Sequence, residues 1–223
     1  TLRVEGDVSL TSVSSFQNSG TLDSGSYDYA TLRNDNTEIT TIAGKIDNYA
    51  DGIGEEAEFR HPDKIVRIGT NIYVKDDSRF RVLNPATGEV STLKTSGASY
   101  NYIERMTTDG TDIYFTAYVS GGNSSGYKLF KLSVADGVVS MLDLVDDTGN
   151  PYSISNSILG LVPDGTNLIA AVSTSPKTFL RISLQTGLVT PYTTGGVTLP
   201  WFYSMEKIGD SLFATLHYHS IFE

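Results

Sequence analysis

Cysteine is absent from the 223 residues, which excludes disulfides, thiolate metal sites and covalently attached haem. Long apolar runs are absent as well: no stretch of about 18 residues passes without a polar interruption, so nothing reads as a membrane-spanning helix. Positive charge is scarce. The 26 acidic residues outnumber 16 basic ones and give a formal charge of −10, which leaves phosphate-rich polymers and anionic membranes little to bind. Nucleic acid is therefore not an expected partner. What the chain does have is 21 Gly, 13 Tyr and many Ser, Thr, Asn and Asp, with only 19% charged residues, a composition of strands and turns rather than helices. The fold expected is all-β. Because Thr1 is not preceded by an initiator Met or a charged-then-apolar leader, the chain reads as processed or as a segment of something longer.

An internal repeat organises the sequence. The turn glycines Gly88, Gly137 and Gly187 stand 49 and 50 residues apart, and a degenerate copy at Thr37 lies 51 residues before the first. Five residues before each turn sits Leu32, Leu83, Leu132 or Ile182; two residues after it sits Ile39, Val90, Val139 or Val189. Apolar residues held at fixed phase on both sides of a turn are what a hairpin needs to bring the buried faces of its strands together. A second turn recurs around Gly69, Gly110, Gly165 and Gly209, with a weaker copy at Gly6, each ahead of an apolar segment such as Ile72-Tyr73-Val74 or Ile113-Tyr114-Phe115. With the apolar segments upstream of these turns, each unit acquires four short hairpin-linked strands, the pattern of a β-propeller blade.

The stretch from Thr41 to Asp76 carries Ala43-Gly44, Asp51-Gly52, Ala57 and Phe59, Pro62, and Tyr73-Val74 followed by Asp76. In that order these landmarks resemble the NHL repeat of bacterial propellers, closely over residues 41–93 and only in architecture beyond. The resemblance implies a ring of six to eight four-stranded antiparallel blades. The units expected are a partial blade 1–43, blades 44–93, 94–142 and 143–193, and a partial blade 194–223. Both ends then supply a second strand instead of complementing each other, so the segment is expected to be an incomplete portion of the ring. Its apolar terminal strands, with Leu212, Phe213, Ile221 and Phe222, would be covered by more chain or by a partner.

Enzymes resembling this family, such as propeller lyases and lactonases, gather His, Glu, Asn or Asp from several blades around a central divalent ion. The corresponding positions here are His61 and Asp63, Tyr102 and Glu104, Ser155 and Asn156, and Trp201 and Tyr203. They form no repeated acidic or histidine ring. Of these, His61, Asp63, Tyr102, Glu104, Asn156, Trp201 and Tyr203 are the candidate ligand-binding residues at the channel mouth, a mixture of aromatic and polar groups suited to a saccharide or a peptide. His217 and His219 share a strand face without a third ligand nearby, so no metal and no cofactor is expected. Two acidic loops, one with Asp47, Asp51, Glu55, Glu56 and Glu58 and one with Asp143, Asp146, Asp147 and Asn150, lack the spacing of a dedicated calcium loop and read as solvated. Ser120 to Gly126 reads as a flexible hairpin tip, and Asn123 heads a chance glycosylation pattern.

The function expected is a non-catalytic propeller, extracellular or on the cell surface with the periplasm as a further compartment, that holds a protein or saccharide on one loop face. The alternative is a metal-dependent lyase or lactonase whose remaining ligands lie outside this segment.

Overall fold

The computed structural model describes residues 41–46, 48–120, 126–154, 156–174, 178–193, 202–216 and 221–222. Apart from Thr41 these belong to the compact unit Ile42–Glu223. Trp201, His217, His219, Ser155, Asn123 and residues 1–40 lie outside the described residues.

Strands account for nearly all the regular structure, and no α-helix occurs among the described residues. Short β1 (Lys45–Ile46), β2 (Gly52–Ile53) and β3 (Glu58–Phe59) precede β4 (Pro62–Ile68), β5 (Asn71–Asp76), β6 (Arg79–Asn84) and β7 (Glu89–Thr92). The last four form an antiparallel meander to which β2 adds beside β7, while β1 and β3 pair in parallel. A second sheet repeats the plan with β8 (Ser96–Gly97), β9 (Ile103–Thr108), β10 (Ile113–Val119), β11 (Gly126–Leu132) and β12 (Val138–Met141). Here β8 lies parallel to β12. A third contains β13 (Ile158–Asp164), β14 (Asn167–Val172), β15 (Thr178–Ser183) and β16 (Val189–Pro191). A fourth contains β17 (Phe202–Ile208), β18 (Ser211–Leu216) and β19 (Ile221–Phe222). Successive first strands neighbour one another, β4 beside β9, β9 beside β13 and β13 beside β17.

The apolar residues flanking the turns pair directly: Leu83 with Val90, Leu132 with Val139, and Ile182 with Val189. Each turn between them closes with the same bond, donated by the N–H of Gly88, Gly137 or Gly187 to the carbonyl of Asn84, Ser133 or Ser183. All seven expected turn glycines, Gly69, Gly88, Gly110, Gly137, Gly165, Gly187 and Gly209, fall between paired strands and carry positive φ.

Sheets pack face to face, which explains why strand sequences such as Leu168-Ile169-Ala170-Ala171-Val172 lack polar alternation. Leu168, Ala170 and Val172 join Tyr114 and Leu129 of the second sheet in one core, while Ile169 and Ala171 join Met205 and Ala214 of the fourth in another. A strand covered on both faces has no position to give to water. Between the first and second sheets Phe80 meets Phe115 edge-on at 5.1 Å, and Phe115 stacks on Phe130 at 5.2 Å. These rings join Tyr73, Ile113, Leu132 and Val139 in a core whose aromatic pairs contribute beyond their buried area.

Candidate functional site

Two clusters of chemistry-bearing side chains emerge, one on the first sheet and one on the second. In the first, Asp76 ends β5 fully buried, and its Oδ1 accepts the backbone N–H groups of Arg60 (2.9 Å) and His61 (2.7 Å). Its Oδ2 accepts Nη1 of Arg81 at 3.2 Å. Arg81, also fully buried, donates further to the carbonyls of Glu58 (2.8 Å) and Ala50 (2.7 Å) and to Oδ1 of Asp51 (2.9 Å). The hydroxyl of Thr92 completes Asp51 at 2.7 Å. Ala57 and Phe59 pack on Val74 and Val90 beneath this network. The landmarks Asp51, Ala57, Phe59 and Asp76 are thus occupied in fastening the incoming loop to its sheet.

His61 is held at the exposed end of that fastening. Its Nδ1 lies 3.4 Å from Oδ1 of Asp77, a residue at φ 58° in a tight turn. The Tyr49 hydroxyl donates to the other oxygen of Asp77, and the Arg79 guanidinium sits 3.9 Å over the Tyr49 ring. The Tyr49 bond holds the Asp77 carboxyl below its ordinary range and raises the Tyr49 phenol. Asp63 pairs with Nζ of Lys75 at 2.9 Å. His61 and Asp63 are therefore engaged by groups of their own sheet.

The second cluster grows from strand register. Pairing of β10 with β11 sets Tyr118 opposite Tyr127, and Tyr118 also exchanges backbone bonds with Asn101 and Tyr102. Tyr118 and Tyr127 therefore stand on adjacent strands, with Tyr102 beside them just ahead of β9. Tyr102 and Tyr118 lie nearly parallel with centroids 6.3 Å apart, Tyr118 and Tyr127 meet edge-on at 5.5 Å, and the Tyr102 and Tyr127 hydroxyls are 3.4 Å apart. Tyr102 remains 49% exposed, enough to offer a ring face to a ligand. The Tyr127 phenol is pushed up to about 12, first by its bond to Tyr102 and then by burial.

Glu104 follows in β9, half-buried. Burial raises its carboxyl above the ordinary value, partly opposed by Arg105 and by the Ile158 N–H, which donates to Oε2 at 3.4 Å. The outer end of the row opens into a pocket of ≈ 250 Å³ whose lining includes Tyr127, Lys128, Met141, Asp143, Tyr152 and Ser153. Nζ of Lys128 reaches the Ser153 hydroxyl at 3.5 Å.

A carboxyl raised in the folded state contributes most to stability at low pH, and that contribution is lost as pH rises through its folded value. Glu104→Gln is expected to gain on the wild type between pH 4 and pH 7, read as a difference in thermal unfolding at the two pH values. A variant that loses ground over that interval would contradict the burial of Glu104.

Of the other candidates, Asn156 is exposed just ahead of β13, and Tyr203 contributes its backbone to β17, its side chain lying outside the described residues. No group of three or more His, Asp or Glu side chains converges on a metal position among the described residues. In the 143–151 loop, Oδ1 of Asp146 accepts from the N–H and hydroxyl of Thr148 and from the N–H of Asn150, closing the loop on itself. Tyr118, Tyr127 and Tyr152 are additions to the expected set. The first two were within reach of sequence, because each stands two residues outside the stretch 120–125 at the hairpin tip.

No protein-family model and no curated protein matches the chain. Solved structures do. An auxiliary nutrient binding protein from Bacteroides ovatus is 13% identical with a TM-score of 0.51, the match covering 79% of this chain and 42% of that one. The likeness is one of fold. The computationally designed Ika4 protein matches at 10% identity and a TM-score of 0.45, over 71% of this chain and 86% of its own. A GH74 xyloglucanase from Xanthomonas campestris matches at 13% identity and 0.46, over 68% and 25%. The chain thus spans well under half of the B. ovatus protein and a quarter of the xyloglucanase.

Proposed function

We propose that the sheets are consecutive blades of an NHL-type β-propeller, with limits at 44–93, 94–142 and 143–193 and partial blades on either side. We further propose that it is a non-catalytic scaffold, extracellular or on the cell surface, that holds a protein or glycan on the loop face. The repeated turn bond at Gly88, Gly137 and Gly187 and the adjacency of the first strands β4, β9, β13 and β17 support the blade reading. The exposed Tyr102, in contact with the partly buried Tyr118 and with Tyr127, which lines the pocket, carries the binding reading. Aromatic rings with a few polar groups at their edges supply contact area and orientation, the requirements of recognition rather than of bond cleavage.

The test is an array of peptides and glycans probed with the full chain and with Tyr102→Ala. Retention of an unaltered ligand that weakens by about tenfold or more in the variant is expected, the usual loss when a buried aromatic anchor is removed. Release of a cleaved product on addition of a divalent ion would instead support a lyase or lactonase.

A further inference from the structure

We infer that the first sheet carries an oxyanion site, in which the guanidinium groups of Arg60 and Arg79, gathered on the Tyr49 ring, bind a phosphomonoester dianion in preference to a singly charged sulfate or carboxylate. The site is built from residues other than the Tyr102 cluster and stands independently of the role proposed for that cluster.

The two arginines differ from most basic side chains of the molecule in what they face. Lys45, Lys75, Arg81, Lys131, Arg181 and Lys207 each have a carboxylate within 3.4 Å. Arg60 and Arg79 form no such pair among the described residues; they share an aromatic ring instead, with their guanidinium carbons 5.8 and 3.9 Å from the Tyr49 centroid. Both lie within reach of a cation–π contact. A guanidinium lying against a ring still presents its N–H groups outward in its own plane, where two of them match two oxygens of one anion. Stacking therefore orients the fork and leaves its donors free.

Both stems start from one anchored point. Asp76 accepts the backbone N–H of Arg60 at 2.9 Å and pairs across the β5–β6 hairpin with Arg79. Because Asp76 is fully buried and bonded to Arg81, the backbone beneath both guanidiniums is fixed before a ligand arrives. The side chains of Arg60, His61 and Arg79 are exposed, so an anion meets them from solvent. The neighbouring carboxylates are already engaged. Asp77 takes the Tyr49 hydroxyl on one oxygen and faces Nδ1 of His61 at 3.4 Å with the other, while Asp63 is held by Lys75 at 2.9 Å. Two positive groups are thus left for an anion from outside, and a dianion matches their charge better than a monoanion does. Since the chain as a whole carries −10, general attraction contributes nothing and binding depends on these two side chains.

The experiment is an NMR titration of the full chain at low ionic strength and about pH 8, where a phosphomonoester is a dianion. The ligands are phenyl phosphate, phenyl sulfate and benzoate, which share a ring and differ in the anion. Saturable shifts of the Nε–H groups of Arg60 and Arg79 and of the backbone N–H groups of His61 and Ser78 are expected, with phenyl phosphate binding most tightly and inorganic phosphate competing with it. Arg60→Ala and Arg79→Ala should each weaken phenyl phosphate by about three- to fivefold, the scale of an exposed ion pair. Arg79→Lys, which keeps the charge and loses the planar fork, should fall between, and it decides if an alanine variant fails to fold. Arg67→Ala removes an exposed guanidinium of the same sheet whose Nε donates to the Gly69 carbonyl, and it should leave the affinity unchanged. Shifts that do not saturate, indifference to the Arg60 and Arg79 variants, or an equal loss on Arg67→Ala would each overturn the inference. Failure of inorganic phosphate to compete, which would place the affinity in the phenyl ring, or tighter binding of phenyl sulfate or benzoate would overturn it as well.

Discussion

Replacing Asp76 with alanine is expected to lower the unfolding free energy by about 3–5 kcal/mol, the cost of stranding a buried charge whose partner is removed. Arg81 is fully enclosed and reaches no solvent, so losing Asp76 leaves its guanidinium short of its only fully buried counter-charge; the remaining carboxylate, Asp51, is half exposed. The same change strips the backbone N–H groups of Arg60 and His61 of their acceptor. Arg81 Nε already lacks a partner, so the network holds no spare acceptor to compensate. For a chain of this size the loss corresponds to on the order of 10 °C in Tm. Asp76→Asn, which keeps an oxygen for the two N–H groups and removes the charge, should fall between the wild type and Asp76→Ala. Chemical denaturation of the three proteins checks the order. A cost below about 1 kcal/mol for Asp76→Ala would mean that the loop is not fastened by this carboxylate.

Gly137→Ala and Gly187→Ala are the second pair of changes with large expected effects, and Gly165→Ala is their control. All three glycines have positive φ, at 74°, 71° and 61°, where an L-residue costs about 1–2 kcal/mol. Only the first two also face backbone. A Cβ on Gly137 would overlap the carbonyl oxygen of Lys94, and one on Gly187 that of Asp143, while one on Gly165 would meet open space. Neither obstruction is the end of a flexible side chain; each belongs to the segment that crosses from one sheet to the next. Overpacking of that kind adds about 1–3 kcal/mol. Gly137→Ala and Gly187→Ala should therefore cost roughly 2–5 kcal/mol in denaturant unfolding and Gly165→Ala roughly 1–2. Equal costs at the three positions would show that close approach of the crossing segment contributes nothing.

Positive φ at the seven turn glycines followed from their place between apolar segments, since a tight turn between strands calls for a residue without a Cβ. That Gly137 and Gly187 differ from Gly165 did not follow, because Lys94 and Asp143 are more than forty residues away in sequence and come near only when the crossing segment runs alongside the last strand of the sheet it enters. The residues at and beside the pocket divide in the same way. Tyr102 and Glu104 were placed by their phase at the start of β9, and Tyr118 and Tyr127 were recoverable from the symmetry of one hairpin. Tyr152 and Ser153 were not, because they reach the pocket through the path of the 142–157 connection.

Strand positions, turn positions, the facing pairs Leu83–Val90, Leu132–Val139 and Ile182–Val189, and the all-β class were determined by the sequence alone, because each rests on interactions among residues close in the chain. The burial of Arg81, the engagement of His61 by Asp77 and the meeting of the tyrosine row with the pocket were decided only by the tertiary structure. Arginine ordinarily stays at the surface, and nothing local to Arg81 overrides that preference. Its burial depends on the carbonyls of Ala50 and Glu58 and the carboxylates of Asp51 and Asp76 converging from separate segments, a sum of distant contacts that no local pattern encodes.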